Sequence, residues 1–101
     1  MENKLFLVDY DIPVEMRHKF YYSLRMEIIQ LVLNNIEDNV KKYRKFRELK
    51  RKSLRQMLEE IEYTKSTQSV ILTTSEKLAK IVHLTAAQFG KSNLYEVRKI
   101  A

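Results

Sequence analysis

Asp9 and Asp11 stand two residues apart at the end of an apolar run, Leu5-Phe6-Leu7-Val8. In an extended chain the side chains alternate between faces, so residues at i and i+2 share a face and these two carboxylates converge. Such a pair suits a hard divalent cation. Mg²⁺ and Mn²⁺ favour oxygen ligands and keep several waters, so one or two carboxylates per chain can hold the ion. A metal held there would activate water and offset charge on a scissile phosphate. The plainer alternative has Asp11 capping the helix that starts at Pro13, and Asp9 pairing with a lysine or arginine. His18 lies close enough in sequence to approach the same strand end, although an exposed histidine without a role is the simpler expectation. His83 has no assigned role. There is no cysteine, so thiol catalysis, disulfides and cysteine-held zinc are excluded. No Gly-rich phosphate loop or Ser/His/Asp context is present.

A second group of residues carries a different chemistry. Lys41, Lys42, Arg44, Lys45, Arg47, Lys50, Arg51, Lys52 and Arg55 place nine cations in fifteen residues against Glu48 alone, a local balance of +8. The whole chain carries +6, so the remaining 86 residues are slightly acidic, at −2. The protein is not generally basic; it has one basic segment. That clustering is the footprint of a phosphate-backbone contact, with a solvated helix face as the alternative. Tyr43 and Phe46 interrupt the cations. They could stack on bases, but their spacing of three predicts the packing face of a helix.

These groups need elements to hold them. Residues 4–11 are too short for a helix core and are rich in β-branched and aromatic side chains, which predicts a buried first strand. Phe6, Val8 and Tyr10 line one face, and Leu5, Leu7, Asp9 and Asp11 the other. Pro13 suits the first turn of a helix running from Val14 to about Asn34, with Phe20 or Tyr21, Leu24, Ile28, Leu31 and Asn35 on one side. Asn34 to Asn39 is the strongest break in the middle of the chain. A second helix is expected from about Asn39 to Glu62, with Val40, Tyr43, Phe46, Leu54, Met57, Leu58 and Ile61 as its apolar positions. It either docks at both ends with its basic middle exposed, or projects as half of a hairpin. A strand follows at 69–73, with a shorter one near 61–65. Thr73 to Glu76 then offers a capping-box pattern for a helix carrying Leu78, Ile81, Val82, Thr85 and Phe89. Gly90 falls at its C-cap, and residues 94–100 alternate as a last strand.

This order predicts a single α+β domain over residues 1–101 with helices on one face of a small sheet. If 61–73 forms a hairpin, the pattern is a ferredoxin-like βαββαβ sandwich with a long basic helical insertion, at about 26–53, in its first half. No run approaches the roughly 20 apolar residues of a membrane span and no signal-peptide pattern opens the chain, so a soluble cytoplasmic protein is expected.

Tyr10-Asp11-Ile12 followed by Pro13 and Arg17, and Gln68-Ser69-Val70 opening a later strand, give the chain a family likeness. Over about 4–25 and 54–100 it resembles the small CRISPR-associated adaptation protein of ferredoxin-like fold, and the virulence-associated protein D ribonucleases that share the fold. The resemblance implies a homodimer whose first-strand aspartates face each other and can hold Mg²⁺ or Mn²⁺, with Asp11 in that role. It also implies either a non-catalytic nucleic-acid-binding hub or a nuclease.

Three functions follow. The first is a non-catalytic nucleic-acid-binding homodimer gripping DNA or RNA through the cations of 41–55. The second is a metal-dependent endonuclease with Asp11 as catalytic residue and Asp11 and Asp9 as metal ligands. The third is an interaction module in which the helices over 14–35 and 38–62 pair as a coiled coil.

Overall fold

Strand β1 spans Lys4–Asp11, and its burial alternates residue by residue. Phe6, Val8 and Tyr10 turn into the core, while Leu5, Leu7 and Asp9 are half-buried on the other face and Asp11 is exposed. The computed structural model describes residues 4–98. The elements that follow are α1 (Arg17–Leu33), α2 (Asn39–Lys50), α3 (Leu54–Glu59), β2 (Thr64–Ser66), β3 (Val70–Thr73), α4 (Glu76–Phe89) and β4 (Lys91–Arg98). The strands form one antiparallel sheet in the order β2-β3-β1-β4, with β1 in the interior. The protein is an α+β domain.

Helices α1 and α4 cover the Val8 face. Phe20, Leu24 and Ile28 from α1 and Leu78, Ala79, Val82 and Ala86 from α4 join Val8 and Ile71 in a core that excludes solvent. The Phe20 ring stands 5.1 Å from Tyr10 and 6.3 Å from Phe89, centroid to centroid, tying helix and sheet together. Each fully buried side chain of this size contributes roughly 1.5–3 kcal/mol. The same face buries the Thr64 and Thr73 hydroxyls, which bond each other at 2.7 Å. Thr73 also accepts from the Ser75 amide, so the pair is satisfied.

No described helix packs on the opposite face. The strand register places Leu5 beside Val97, Leu7 between Leu72 and Tyr95, and Asp9 between Val70 and Asn93. Tyr95 and Val97 remain 49% and 40% exposed. Among the described residues no helix is long and apolar enough to cross a membrane.

Several expectations are corrected. The helix expected from Val14 opens with a 3-10 turn over Val14–Met16 and becomes α-helical only at Arg17. The helix expected over 39–62 is two helices. The Ser53 hydroxyl accepts from the Gln56 amide while the Gln56 side chain accepts from the Ser53 amide, a capping box that starts α3 and ends the previous helix. The expected coiled-coil partner helix of 38–62 is therefore absent. Ser75, not Thr73, caps α4, through a bond from the Leu78 amide. The hairpin forms without Gly, Asn or Asp in its turn. The Thr67 amide donates to the Val70 carbonyl at 2.8 Å, and the Tyr10 amide holds the Ser69 carbonyl at 3.0 Å. The last strand starts three residues earlier than expected, and residues 99 and 100 lie outside the described residues.

Gly90 ends α4 in extended backbone at φ −171°, which any residue adopts. Its glycine identity comes from crowding instead. A β-carbon there would sit 2.3 Å from the Asp11 carbonyl oxygen and 3.0 Å from the Ile12 α-carbon.

Candidate nucleic-acid interface

Helix α2 carries most of the basic segment. Asp38 caps its start by accepting from the Val40 amide at 2.9 Å. Its carboxyl end is held from the core: the Arg25 guanidinium of α1 donates through one terminal nitrogen to the Lys50 carbonyl at 3.2 Å and the Lys52 carbonyl at 2.9 Å. Those carbonyls lack partners within a helix, and the cation also meets the negative end of the helix dipole. Leu49 is buried and Phe46 half-buried, so α2 packs through its second half. Nothing in the sequence pattern marks Arg25 for this role.

Packing through Leu49 decides what faces water. Val40 and Tyr43, expected on the packing face, are 60% and 62% exposed. At about 3.6 residues per turn Val40 lies half a turn of helix from Leu49 and Tyr43 a third of a turn. Arg44, Arg47 and Arg51 share their side of the helix, at the three-four spacing that stacks side chains in a row. Together with Glu48 and Lys52 these arginines line an open concavity of about 490 Å³. The row rises about 10 Å along the helix, comparable to three nucleotides of one strand at roughly 3.4 Å each. The Arg47 guanidinium lies 5.9 Å from the centre of the Tyr43 ring, and the Lys50 ammonium 5.3 Å from Phe46. An exposed tyrosine flanked by an arginine is a platform on which a base can stack.

The nine cations are not equally available. Glu48 pairs with Lys45 at 3.4 Å and Lys52 at 3.0 Å, Lys52 also pairs with Glu60, and Arg55 pairs with Glu59 at 3.1 Å. Hydrogen bonds from Lys52 and Lys45 hold the Glu48 carboxyl below its ordinary pKa, and those to Glu60 and Glu48 raise that of Lys52. Lys41, Lys42, Arg44, Arg47, Lys50 and Arg51 make no ion pair among the described residues. These six are the cations free to replace counterions on a phosphate backbone.

The two aspartates stand elsewhere. They share the open face of the sheet, whereas α2 packs on α1 over the covered face. Asp9 accepts a 2.9 Å bond from the Asn93 amide group rather than pairing with a lysine or arginine. Asp11 does not cap the turn after Pro13, which has no side-chain cap; it stands opposite Lys91 in the β1–β4 register. The described residues contain no cluster of three or more histidine, cysteine or acidic side chains. His18 is exposed, and His83 bonds Ser92 at 2.8 Å through Nδ1. One chain thus offers two oxygen ligands of the hard type, one of them partly engaged. Comparison with protein-family models, curated proteins and solved structures finds no match to this chain.

Proposed function

We propose that this chain is a non-catalytic nucleic-acid-binding protein that grips phosphate backbone through α2. The observation that carries this reading is the row Arg44, Arg47, Arg51 beside exposed Tyr43, on a helix whose free cations outnumber its carboxylates. The antiparallel order β2-β3-β1-β4, with α1 and α4 on one face, supports a ferredoxin-like βαββαβ plan. On that plan α2 and α3 are additions between the first helix and the second strand. The uncovered apolar face of Leu5, Leu7, Val70, Leu72, Tyr95 and Val97 supports a homodimer joined sheet to sheet. The basic helix lies away from that face and stays free when it is covered.

The test is binding of a labelled duplex and a labelled single strand to the protein across a salt series. Six free cations predict a slope of log K against log salt near −5 on duplex. Arg44→Gln/Arg47→Gln/Arg51→Gln lowers it to about −3. A salt-independent interaction, or a slope unmoved by the triple substitution, defeats the reading.

A second reading rests on Asp9 and Asp11 sharing the sheet face through which a dimer would form. Two copies would bring four carboxylates to one interface, enough oxygen to hold Mg²⁺ or Mn²⁺ with several waters. On this reading Asp11 is a metal ligand of an endonuclease, assisted by Asp9. Calorimetric titration with Mn²⁺ checks it apart from cleavage: heat of binding lost in Asp11→Ala supports the metal, and no heat in the unaltered protein removes it.

A further inference from the structure

Beside the amino end of α3 the chain leaves a crevice that the backbone-gripping role does not use. It measures about 360 Å³ and is lined by Tyr10 and Tyr21 on one side, Ser53, Arg55 and Leu58 on another, and Ser66 of β2 with Thr67 and Gln68 of the β2–β3 turn. A second hollow of about 200 Å³ shares Tyr10, Tyr21 and Gln68 with it and continues toward Arg17 and Asp11. The crevice falls within the range of ligand pockets, about 300–1,000 Å³. Its chemistry is uneven in a useful way. Tyr21 supplies an aromatic surface, half-buried and braced against Phe20 at 5.4 Å. The turn supplies hydroxyls and an amide that donate and accept. Among the described residues no carboxylate lines it, and its one cation, Arg55, stands at the rim.

The position matters as much as the lining. Arg51 ends the arginine row of α2, and Arg55 lies four residues later, just past the Ser53 cap. Arg55 is engaged through Nε by Glu59, which leaves its terminal nitrogens directed to no partner among the described residues. The concavity of the arginine row ends at Arg51 and Lys52 and the crevice begins at Ser53, so consecutive residues border the two. Tyr10 forms the inner wall and is buried. That burial, with the Tyr21 phenol beside it, pushes the Tyr10 hydroxyl up to about 12.

We infer that this crevice takes an unpaired nucleotide at the end of a nucleic-acid strand held by α2, its base against Tyr21 and the β2–β3 turn and its phosphate on Arg55. The protein would then distinguish strand ends or junctions from continuous duplex. This inference rests on the backbone-gripping role of α2 and adds to it the part of the nucleic acid that is recognised.

The test compares two hairpins, in DNA and in RNA form, one blunt and one carrying a one-nucleotide overhang of 2-aminopurine. Base–aromatic stacking corresponds to roughly five- to 150-fold in affinity, so the overhanging hairpin should bind at least fivefold tighter, with its fluorescence quenched. Tyr21→Ala and Gln68→Ala should both abolish the preference and the quenching while the salt slope of the blunt hairpin is kept. Gln68 is exposed on a turn, so its substitution keeps the fold even if loss of Tyr21 loosens the core. Equal binding of the two hairpins with a steep salt slope would overturn the crevice and leave α2 as the backbone grip. No binding of either hairpin at low salt would overturn both.

Discussion

Replacing Gly90 by alanine places a methyl group 2.3 Å from the Asp11 carbonyl oxygen, where ordinary contact begins near 3.4 Å. About 1.1 Å must be found, and the obstruction is main chain rather than the end of a flexible side chain. The Ile12 α-carbon and Cδ1, each at 3.0 Å, close the lateral escape. Either the end of β1 moves away from β4, loosening the Asp11–Lys91 pair, or the last turn of α4 rotates outward. Overpacking of this kind costs about 1–3 kcal/mol, and a backbone obstruction belongs near the top of that range. For a domain of this size each kcal/mol lowers Tm by roughly 4–8 °C, so a fall of about 10–20 °C is expected. Urea unfolding followed by circular dichroism should show a lower midpoint with an unchanged slope. Gly90→Asn separates crowding from conformational need. Asparagine is tolerated where a helix ends in left-handed backbone, whereas here it should destabilise at least as much as alanine. An alanine variant within about 0.5 kcal/mol of the original protein, or an asparagine variant more stable than the alanine one, would refute the steric account.

Other outcomes follow from the same geometry. Arg25→Met removes the cation from the carboxyl end of α2 and should cost about 1.5–3 kcal/mol, with amide exchange in α2 accelerating more than in α4. Ser53→Ala deletes one half of the capping box and should cost about 1 kcal/mol in urea unfolding. Glu48→Gln releases Lys45, leaves Lys52 to Glu60 and removes one negative charge from the arginine row, so binding to duplex should strengthen at low salt and its salt slope should steepen. The raised pKa of Tyr10, whose first cause is burial, gives a signed pH dependence. Well below pH 10 the hydroxyl is protonated in both states and stability is unaffected by this group. Between pH 10 and about 12 the unfolded chain loses the proton that the folded chain keeps, so stability falls as pH rises. Tyr10→Phe should flatten that part of the stability profile.

Local pattern made much of this fold legible. The alternation of Phe6, Val8 and Tyr10 announced a strand half-turned to a core, and the three-four spacing of Leu78, Val82, Thr85 and Phe89 announced α4. The failures have physical causes. Val40, Tyr43 and Phe46 have packing spacing, but a helix has only one deepest contact, and here Leu49 makes it. Leu49 sits inside a charge run, so the local pattern hides both its burial and the exposure of Tyr43 that follows from it. The division of α2 from α3 is written in Ser53 and Gln56, a signal masked by the cations on either side. The β2–β3 turn holds through the Tyr10 amide, a tertiary contact that local turn chemistry does not encode. Strand alternation puts the two aspartates on one face, but Asn93, the partner of Asp9, lies 84 residues away along the chain. The cluster of cations was plain in composition; which six are free of ion pairs depended on where Glu48, Glu59 and Glu60 fell in space.

The place of β1 in the sheet sets a constraint on synthesis. Both of its hydrogen-bonding edges are occupied by strands made later, β3 beginning at Val70 and β4 at Lys91. As the chain leaves the ribosome, α1 and α2 can form within themselves, while the first strand waits for partners more than sixty residues downstream. Sheet closure is therefore the slow and late event of folding. Until β4 arrives, one long edge of β1 with Leu5 and Leu7 beside it is open to the same strand of another nascent chain. On a crowded polysome the early hazard for this protein is strand exchange between neighbours, and a stop codon ahead of Lys91 would make that hazard permanent.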